Sequence, residues 1–344
     1  MTPPRALAIV QTAFIGDVVL TLPLAQAVAR AWPSTRVLFV AIPATAGLLE
    51  NHPAVAATVV FDKKKGDAGP AGLLRAASRL RAEGTEVVLV PHRSLRSAVL
   101  ARLSGAALRV GFSTSAGRIL LNRIVPYRKE LHEIDRDLSL LGPLGIEVAR
   151  GESPSLHPDA DDRRTVDGLL AGHDGARMIA VAPGSVWNTK RWPEEKFAAL
   201  VRMLAAEGRL PVLVGGEADR ALAARVAGAA GQGSVVNAAG RLSLLQSAEL
   251  IRRCSAAVSN DSAPMHLAVA MGTPVVALYG ATVPEFGFAP RGPHDRVLQT
   301  LGLPCRPCAI HGGNRCPIRT FVCMERIAPA EVLAAVLHAA EAKR

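Results

Sequence analysis

Aromatic side chains are scarce, at 4% of 344 residues, and they form no basic–aromatic motif of the kind that reads RNA. No zinc-finger spacing is present either. No uninterrupted apolar run reaches the roughly 18 residues of a membrane-spanning helix. No G-x-G-x-x-G follows a strand and no Walker A sequence occurs, which weighs against nicotinamide-dependent oxidoreductases and P-loop nucleotidases. The missing G-x-S-x-G elbow weighs against an α/β-hydrolase. Charged residues stop at 20% while hydrophobic ones reach 49%, so the chain is not of the disordered class and can bury real cores.

The apolar content is mostly Ala, Val and Leu, which suits helices packed closely on a parallel sheet. Lys and Arg exceed Asp and Glu by 11. That excess fits nucleic acid, an anionic membrane face or a phosphorylated small molecule as partner. The cations are scattered. The one tight run, Lys63-Lys64-Lys65, reads as a solvated loop. Arg5 followed by Ala6-Leu7-Ala8-Ile9-Val10 has a signal-peptide look, but Gln11 and Asp17 interrupt it, so it reads as a first strand. The expectation is a soluble or peripheral protein of the cytoplasm.

Short β-branched runs alternate with longer Ala/Leu-rich helical patterns, the signature of βαβ units. Strands are predicted over 7–10, 37–41, 58–61 and 87–90, with helices over 73–82 and 97–103. The pattern loosens over 151–162, and 172–175 is a turn-rich break. A second series follows, with strands over 178–182, 211–214, 234–237, 256–259 and 274–279. Helices fall between them, over 194–207, 219–227, 244–254 and 264–271. A last helix is predicted over 329–342. The reading is an α/β protein of two Rossmann-like domains, one over 1–165 and one over 172–327, with a terminal helical segment over 328–344.

Ligands bind at the carboxyl ends of strands in such sheets, so the loops after strands carry the interest. The first holds Gly16-Asp17. Asp17 either caps the helix that follows or stands in the cleft as a general base. Pro23 predicts that the regular helix starts near Thr21. The corresponding loop of the second half runs from Pro183-Gly184-Ser185 to Lys190-Arg191-Trp192-Pro193. Backbone N–H groups, a hydroxyl and Lys190 suit a diphosphate there, although the two cations also read as surface charge. The richest segment is Asn260-Asp261-Ser262-Ala263-Pro264-Met265-His266. It joins an apolar strand to a helix whose first turn tolerates proline and whose free N–H groups attract an anion. Gly280-Ala281-Thr282 follows the next strand and flanks the same pocket. Cys305-x2-Cys308, Cys316 and Cys323 lie within 19 residues. In a reducing compartment such a group holds a structural zinc ion or stays as thiols.

These loops, in this order, resemble glycosyltransferase family 9, the lipopolysaccharide heptosyltransferases. The likeness rests on Gly16-Asp17 with Leu22-Pro23, on 183–193, and on Ala239-Gly240-Arg241-Leu242-Ser243-Leu244. It also rests on 260–268 with Gly272-Thr273-Pro274 and Tyr279-Gly280, and the cysteine tail is similar to the heptosyltransferase II branch. The resemblance implies a GT-B architecture in which two parallel sheets face a central cleft. It implies metal-independent, inverting transfer of heptose from ADP-heptose to the lipopolysaccharide inner core, at the inner face of the inner membrane. By motif, Asp17 and Lys190 are the catalytic pair. Gly184, Ser185, Lys190, Asp261, Ser262, His266 and Thr282 hold the donor, with Glu217 on its ribose. Two alternatives stay open: a GT-B transferase using a different nucleotide sugar, and a nucleotide-sugar-binding protein without turnover. Nucleic acid is not expected as a partner.

Overall fold

The computed structural model describes residues 2–149, 151–173, 177–229 and 235–343. The chain divides between His157 and Pro158 into two compact units. The break precedes the helix over 160–169, because that helix packs on a helix of the second unit.

The first unit runs β1 (Ala6–Val10), α1 (Ile15–Ala31), β2 (Arg36–Ala41), α2 (Pro43–Ala46), β3 (Ala57–Val60), α3 (Gly69–Ala82), β4 (Thr85–Val90), α4 (Leu95–Leu103), β5 (Leu108–Phe112), β6 (Arg123–Val125) and α5 (Glu133–Leu138). Its six strands are all parallel, in the order β3-β2-β1-β4-β5-β6. Every residue of β1 is buried. That is why 6–10 reads as one apolar run: a parallel strand covered on both faces has no solvent side to alternate toward.

One expectation fails here. α1 starts at Ile15, not near Thr21, and carries Pro23 in its interior. The proline forfeits one backbone hydrogen bond. Its whole neighbourhood, Val18 to Ala25, is buried, so packing of that face outweighs the local loss. Lys63 also departs from the solvated reading: it is half-buried and donates to the Thr12 carbonyl at 2.6 Å.

The second unit runs α6 (Ala160–Leu169), β7 (Met178–Ala182), α7 (Glu194–Ala206), β8 (Leu210–Leu213), α8 (Arg220–Gly228), β9 (Val236–Asn237), α9 (Leu244–Arg253), β10 (Ala256–Asn260), α10 (Ala263–Ala270), β11 (Val275–Tyr279), β12 (Arg296–Gln299), α11 (Val322–Glu325) and α12 (Pro329–Glu341). Of the strand expected over 234–237, Ser234 lies outside the described residues, as do Asp174 and Gly175 of the expected break. The sheet order is β12-β11-β10-β7-β8-β9, again all parallel. Counted within its own unit, this is the strand order of the first unit. In both, the winding reverses at the middle, between β1 and β4 and between β7 and β10. α12 lays Val332, Val336 and Ala339 into the core of this unit. Trp192 is buried there too, edge-on to Phe197 and donating through its indole N–H to the Ile327 carbonyl at 3.1 Å.

Candidate functional site

In a doubly wound sheet, the loops at the reversal diverge to opposite faces and leave a crevice at the carboxyl edge. In the second unit those loops follow β7 and β10. Asn260, fully buried at the end of β10, ties them together. Its amide accepts from Trp192 N at 3.0 Å and donates to the Pro183 carbonyl at 3.0 Å. One side chain thus fixes both ends of the 183–192 loop.

That anchoring places Lys190 against Asp261. The ammonium lies 2.6 Å from Asp261 Oδ2, and the Thr282 hydroxyl donates to the same oxygen, also at 2.6 Å. The Lys190 and Asp261 side chains are 13% and 8% exposed, so the charges are largely shielded from water. Ser262 caps α10 with extended backbone, and its hydroxyl lies 3.3 Å from that of Ser259 instead of on the helix N–H groups. His266, one turn in, is buried. Ser185 is nearly buried, and its carbonyl accepts from Arg191. The structure therefore brings together Lys190, Asp261 and Thr282, with Ser262 and His266 next to them on α10.

Gly184 has a steric role. A Cβ there would lie 2.1 Å from Asp219 Oδ1. Asp219 accepts from Gly216 N at 3.0 Å within the loop after β8 and lies close against Gly184 of the loop after β7. Glu217 is the exposed member of this group. It pairs with Arg220 at 2.6 Å, and Arg220 also donates to the Gly240 carbonyl. Gly240 takes a positive φ of 70°, close against Glu217.

The cysteine segment braces the same loops. Thr189 N donates to the Gly313 carbonyl at 2.9 Å, and Gly313 N donates back to the Thr189 hydroxyl at 2.8 Å. Cys308 N donates to the Ala281 carbonyl, and Arg306 donates to the Thr282 carbonyl at 2.7 Å. All five cysteines are unpaired. Among the described residues, no group of three or more His, Cys, Asp or Glu side chains is arranged to hold a metal ion. A zinc site at Cys305, Cys308, Cys316 and Cys323, one of the two readings of the sequence, is not established by this structure. The segment is organised by its own backbone and by Arg306.

In the first unit the loops at the reversal follow β1 and β4. Asp17 accepts from Phe14 N at 3.1 Å, so it does cap α1. The cap leaves the carboxylate at the helix start, which is where the base reading also puts it. α5 packs along α1 and adds two further acids, Glu133 and Asp137. Glu133 is paired with the buried Arg136 at 2.6 Å. Burial raises its pKa, Asp17 adds to that, and Arg136 and Arg93 oppose it. Asp137 is fully buried. Burial first, then the charge of Glu133, pushes its pKa well above the usual carboxylate range. Thr21 Oγ lies 2.6 Å from Asp137 Oδ2 and 2.8 Å from the Asp17 carbonyl.

Cations stand around these acids. Arg93 lies over the Tyr127 ring at 4.2 Å and Arg136 at 5.1 Å. His92 Nδ1 is 2.9 Å from the Thr12 hydroxyl. Burial, with Lys63 and Arg93 nearby, lowers the His92 pKa to about 4. Sequence reasoning missed Glu133, Arg136, Asp137, Arg93 and Tyr127. The run Glu133-Ile134-Asp135-Arg136-Asp137 resembles an ordinary charged surface helix. Only the burial of Arg136 and Asp137 sets it apart.

Comparison with known proteins bears on both units. The profile of glycosyltransferase family 9 (heptosyltransferase) matches residues 73–313. Lipopolysaccharide heptosyltransferase 1 of Pseudomonas aeruginosa is 29% identical over 317 residues, 87% of this chain and 85% of that one. A family 9 glycosyltransferase structure from Veillonella parvula superposes with a TM-score of 0.89 at 23% identity, covering 99% of each chain. The E. coli ADP-heptose LPS heptosyltransferase II structure gives 0.82 at 23% identity, over 98% of this chain and 99% of that one. The two structures carry the fold, which is that of the GT-B heptosyltransferases.

Proposed function

The chain belongs to glycosyltransferase family 9, and from that premise we propose that it transfers heptose from ADP-heptose to the lipopolysaccharide inner core, with inversion and without a catalytic metal. The observation that carries this reading is the Lys190–Asp261–Thr282 cluster, set where the second sheet reverses. A Lys ammonium beside the start of α10 supplies positive potential where the leaving diphosphate gathers charge. Family membership, and the ADP-heptose named for the E. coli relative, support that donor.

In this reading the second unit is the donor domain. Lys190, Gly184, Ser185 and Ser262 face the diphosphate, Asp261 and Thr282 hold Lys190 in place, His266 stands behind them, and Glu217 takes the ribose. The first unit is the acceptor domain. Asp17 takes the proton of the acceptor hydroxyl as its oxygen bonds to the anomeric carbon. The bond from that carbon to the diphosphate breaks and ADP leaves with the electron pair. A single displacement of this kind inverts the configuration. Every charge that develops is met by a side chain or a helix start, so no step calls for a metal.

The protein would work at the inner face of the inner membrane. Its excess of 11 cations favours anionic lipid, and no helix among the described residues is long and apolar enough to cross a bilayer. The test is ADP release from ADP-heptose with a lipopolysaccharide-core acceptor, in the presence of chelator, with the product anomer read by NMR. Release from a uridine donor instead would favour a different GT-B transferase. Tight ADP-heptose binding with no release would leave a binding protein.

A further inference from the structure

The amino edge of the second sheet carries cations that the proposed reaction does not use. Arg177 immediately precedes β7, Arg209 immediately precedes β8, and Arg252 and Arg253 close α9 just ahead of β10. β8 and β10 are the two neighbours of β7 and run parallel to it, so their starts share one edge. The loop bearing Lys190 leaves from the opposite edge. A five-residue strand puts about 16 Å between the two edges. With Lys343 of the segment after α12, these side chains line a cavity of about 300 Å³.

The cavity is held rigidly on one side and left electrostatically open on the other. Lys343 is half-buried and uses its three protons on the Arg252 carbonyl at 2.8 Å, the Cys254 carbonyl at 2.7 Å and the Thr273 hydroxyl at 2.8 Å. Its charge is thereby fixed in the wall. Glu249, itself buried, pairs with Arg252 at 2.7 Å and with Arg253 at 2.8 Å, and Asp167 also pairs with Arg253. The Cys254 thiol is pushed up to about 12 by burial and adds no negative charge. Among the described residues, no acceptor engages the guanidinium groups of Arg177 or Arg209. Five cations thus meet two carboxylates around one cavity, and two guanidinium forks have donors to offer. Planar forks of this kind match the oxygens of a phosphate group, and the volume is at the lower end of that of small-ligand sites.

We propose that this cavity is an anion site, separate from the candidate donor loops, that binds a phosphate mono- or diester, either free in solution or on the headgroup of an anionic lipid. Arg177 and Arg209 supply the recognition. Lys343, Arg252 and Arg253 supply the fixed positive wall.

The test uses the full chain, with inorganic phosphate as the probe in calorimetric titration at low salt. Wild type should bind phosphate, and Lys190→Ala should retain the binding that Arg177 and Arg209 supply. Arg177→Ala/Arg209→Ala should bind it at least about tenfold more weakly, since one charge-assisted hydrogen bond is worth about that factor. Arg177→Lys/Arg209→Lys, which keeps the charge, should recover part of the binding. A thermal midpoint like that of wild type checks that both variants fold. A second arm measures sedimentation with phosphatidylcholine vesicles with and without phosphatidylglycerol. Loss of phosphatidylglycerol-dependent binding in the alanine variant assigns the site to lipid. Vesicle binding that is kept while phosphate binding is lost assigns it to free phosphate esters. Equal phosphate binding by wild type and the alanine variant overturns the proposal. So does loss in Lys190→Ala alone, or no phosphate binding by wild type.

Discussion

Replacing Lys190 with methionine keeps most of the stem and removes the ammonium alone. The pair it breaks is short, at 2.6 Å, and its side chains are 13% and 8% exposed. Asp261 would be left with the Thr282 hydroxyl and no cation, in a site that water reaches poorly. Breaking one side of a largely buried ion pair costs about 3 kcal/mol or more, because the remaining charge is stranded. For a unit of this size each kcal/mol lowers the melting midpoint by about 2–4 °C, so Lys190→Met should lose about 6–12 °C. Adding Asp261→Asn removes the stranded charge, and the double variant should return to within about 1 kcal/mol of the parent. Asp261→Asn alone should cost less than Lys190→Met, since the longer lysine can turn its ammonium toward solvent. Calorimetry of the four proteins closes the double-mutant cycle and isolates the coupling. A drop of less than about 2 °C in Lys190→Met, which at the same scale is under 1 kcal/mol, would mean that water screens the pair and would refute the stranded-charge argument. The same variant should weaken ADP binding by about tenfold or more, the value of one charge-assisted hydrogen bond.

Asp17→Asn should keep the fold and ADP affinity while turnover falls by roughly 10²–10⁴-fold, the usual scale for a general base. Near-normal turnover would remove Asp17 from the mechanism. Gly184→Ala should lower stability by about 1–3 kcal/mol through overpacking against Asp219, and Gly184→Ala/Asp219→Ala should recover part of it in a thermal melt. His52 gives a pH test. Burial and then His157 lower its pKa to about 4, so the folded protein holds it neutral while the unfolded chain protonates it near 6.5. Its contribution is full above pH 6.5 and is lost as pH falls toward 4, at up to about 1.4 kcal/mol per pH unit. Denaturant midpoints across that window should flatten in His52→Asn, which keeps an acceptor for the Ala54 N–H. An unchanged slope would place the proton uptake elsewhere.

Much of the candidate site was legible because it depends on local order. Asp261, Ser262 and Pro264 declare a strand end, a cap and a helix first turn within a few residues, and α10 begins at Ala263 with Pro264 in its first turn. Buried parallel strands such as 6–10 read as apolar runs for the same reason. Strands β5, β6 and β12 were not legible. β5 contains Arg109 and Gly111, and β6 and β12 each begin with an arginine. β6 and β12 lie at sheet edges, with one neighbour and partial solvent cover, so their residues lose the apolar signature. The start of α1 was not legible either, because local propensity puts a proline in a first turn, while tertiary burial keeps the helix intact through Pro23.

The sequence alone therefore determined the alternation of strands and helices, and with it the two-part α/β architecture and the loops able to carry chemistry. These follow from periodicity and from backbone preferences that act over a few residues. The tertiary structure decided which distant groups meet: Thr21 with Asp137 across 116 positions, the Lys190 ammonium with Asp261, and five cations from four parts of the chain around one cavity. Those meetings depend on strand order, which no short window encodes. They also set burial, and burial is what raises the Asp137 pKa and shields the Lys190–Asp261 pair.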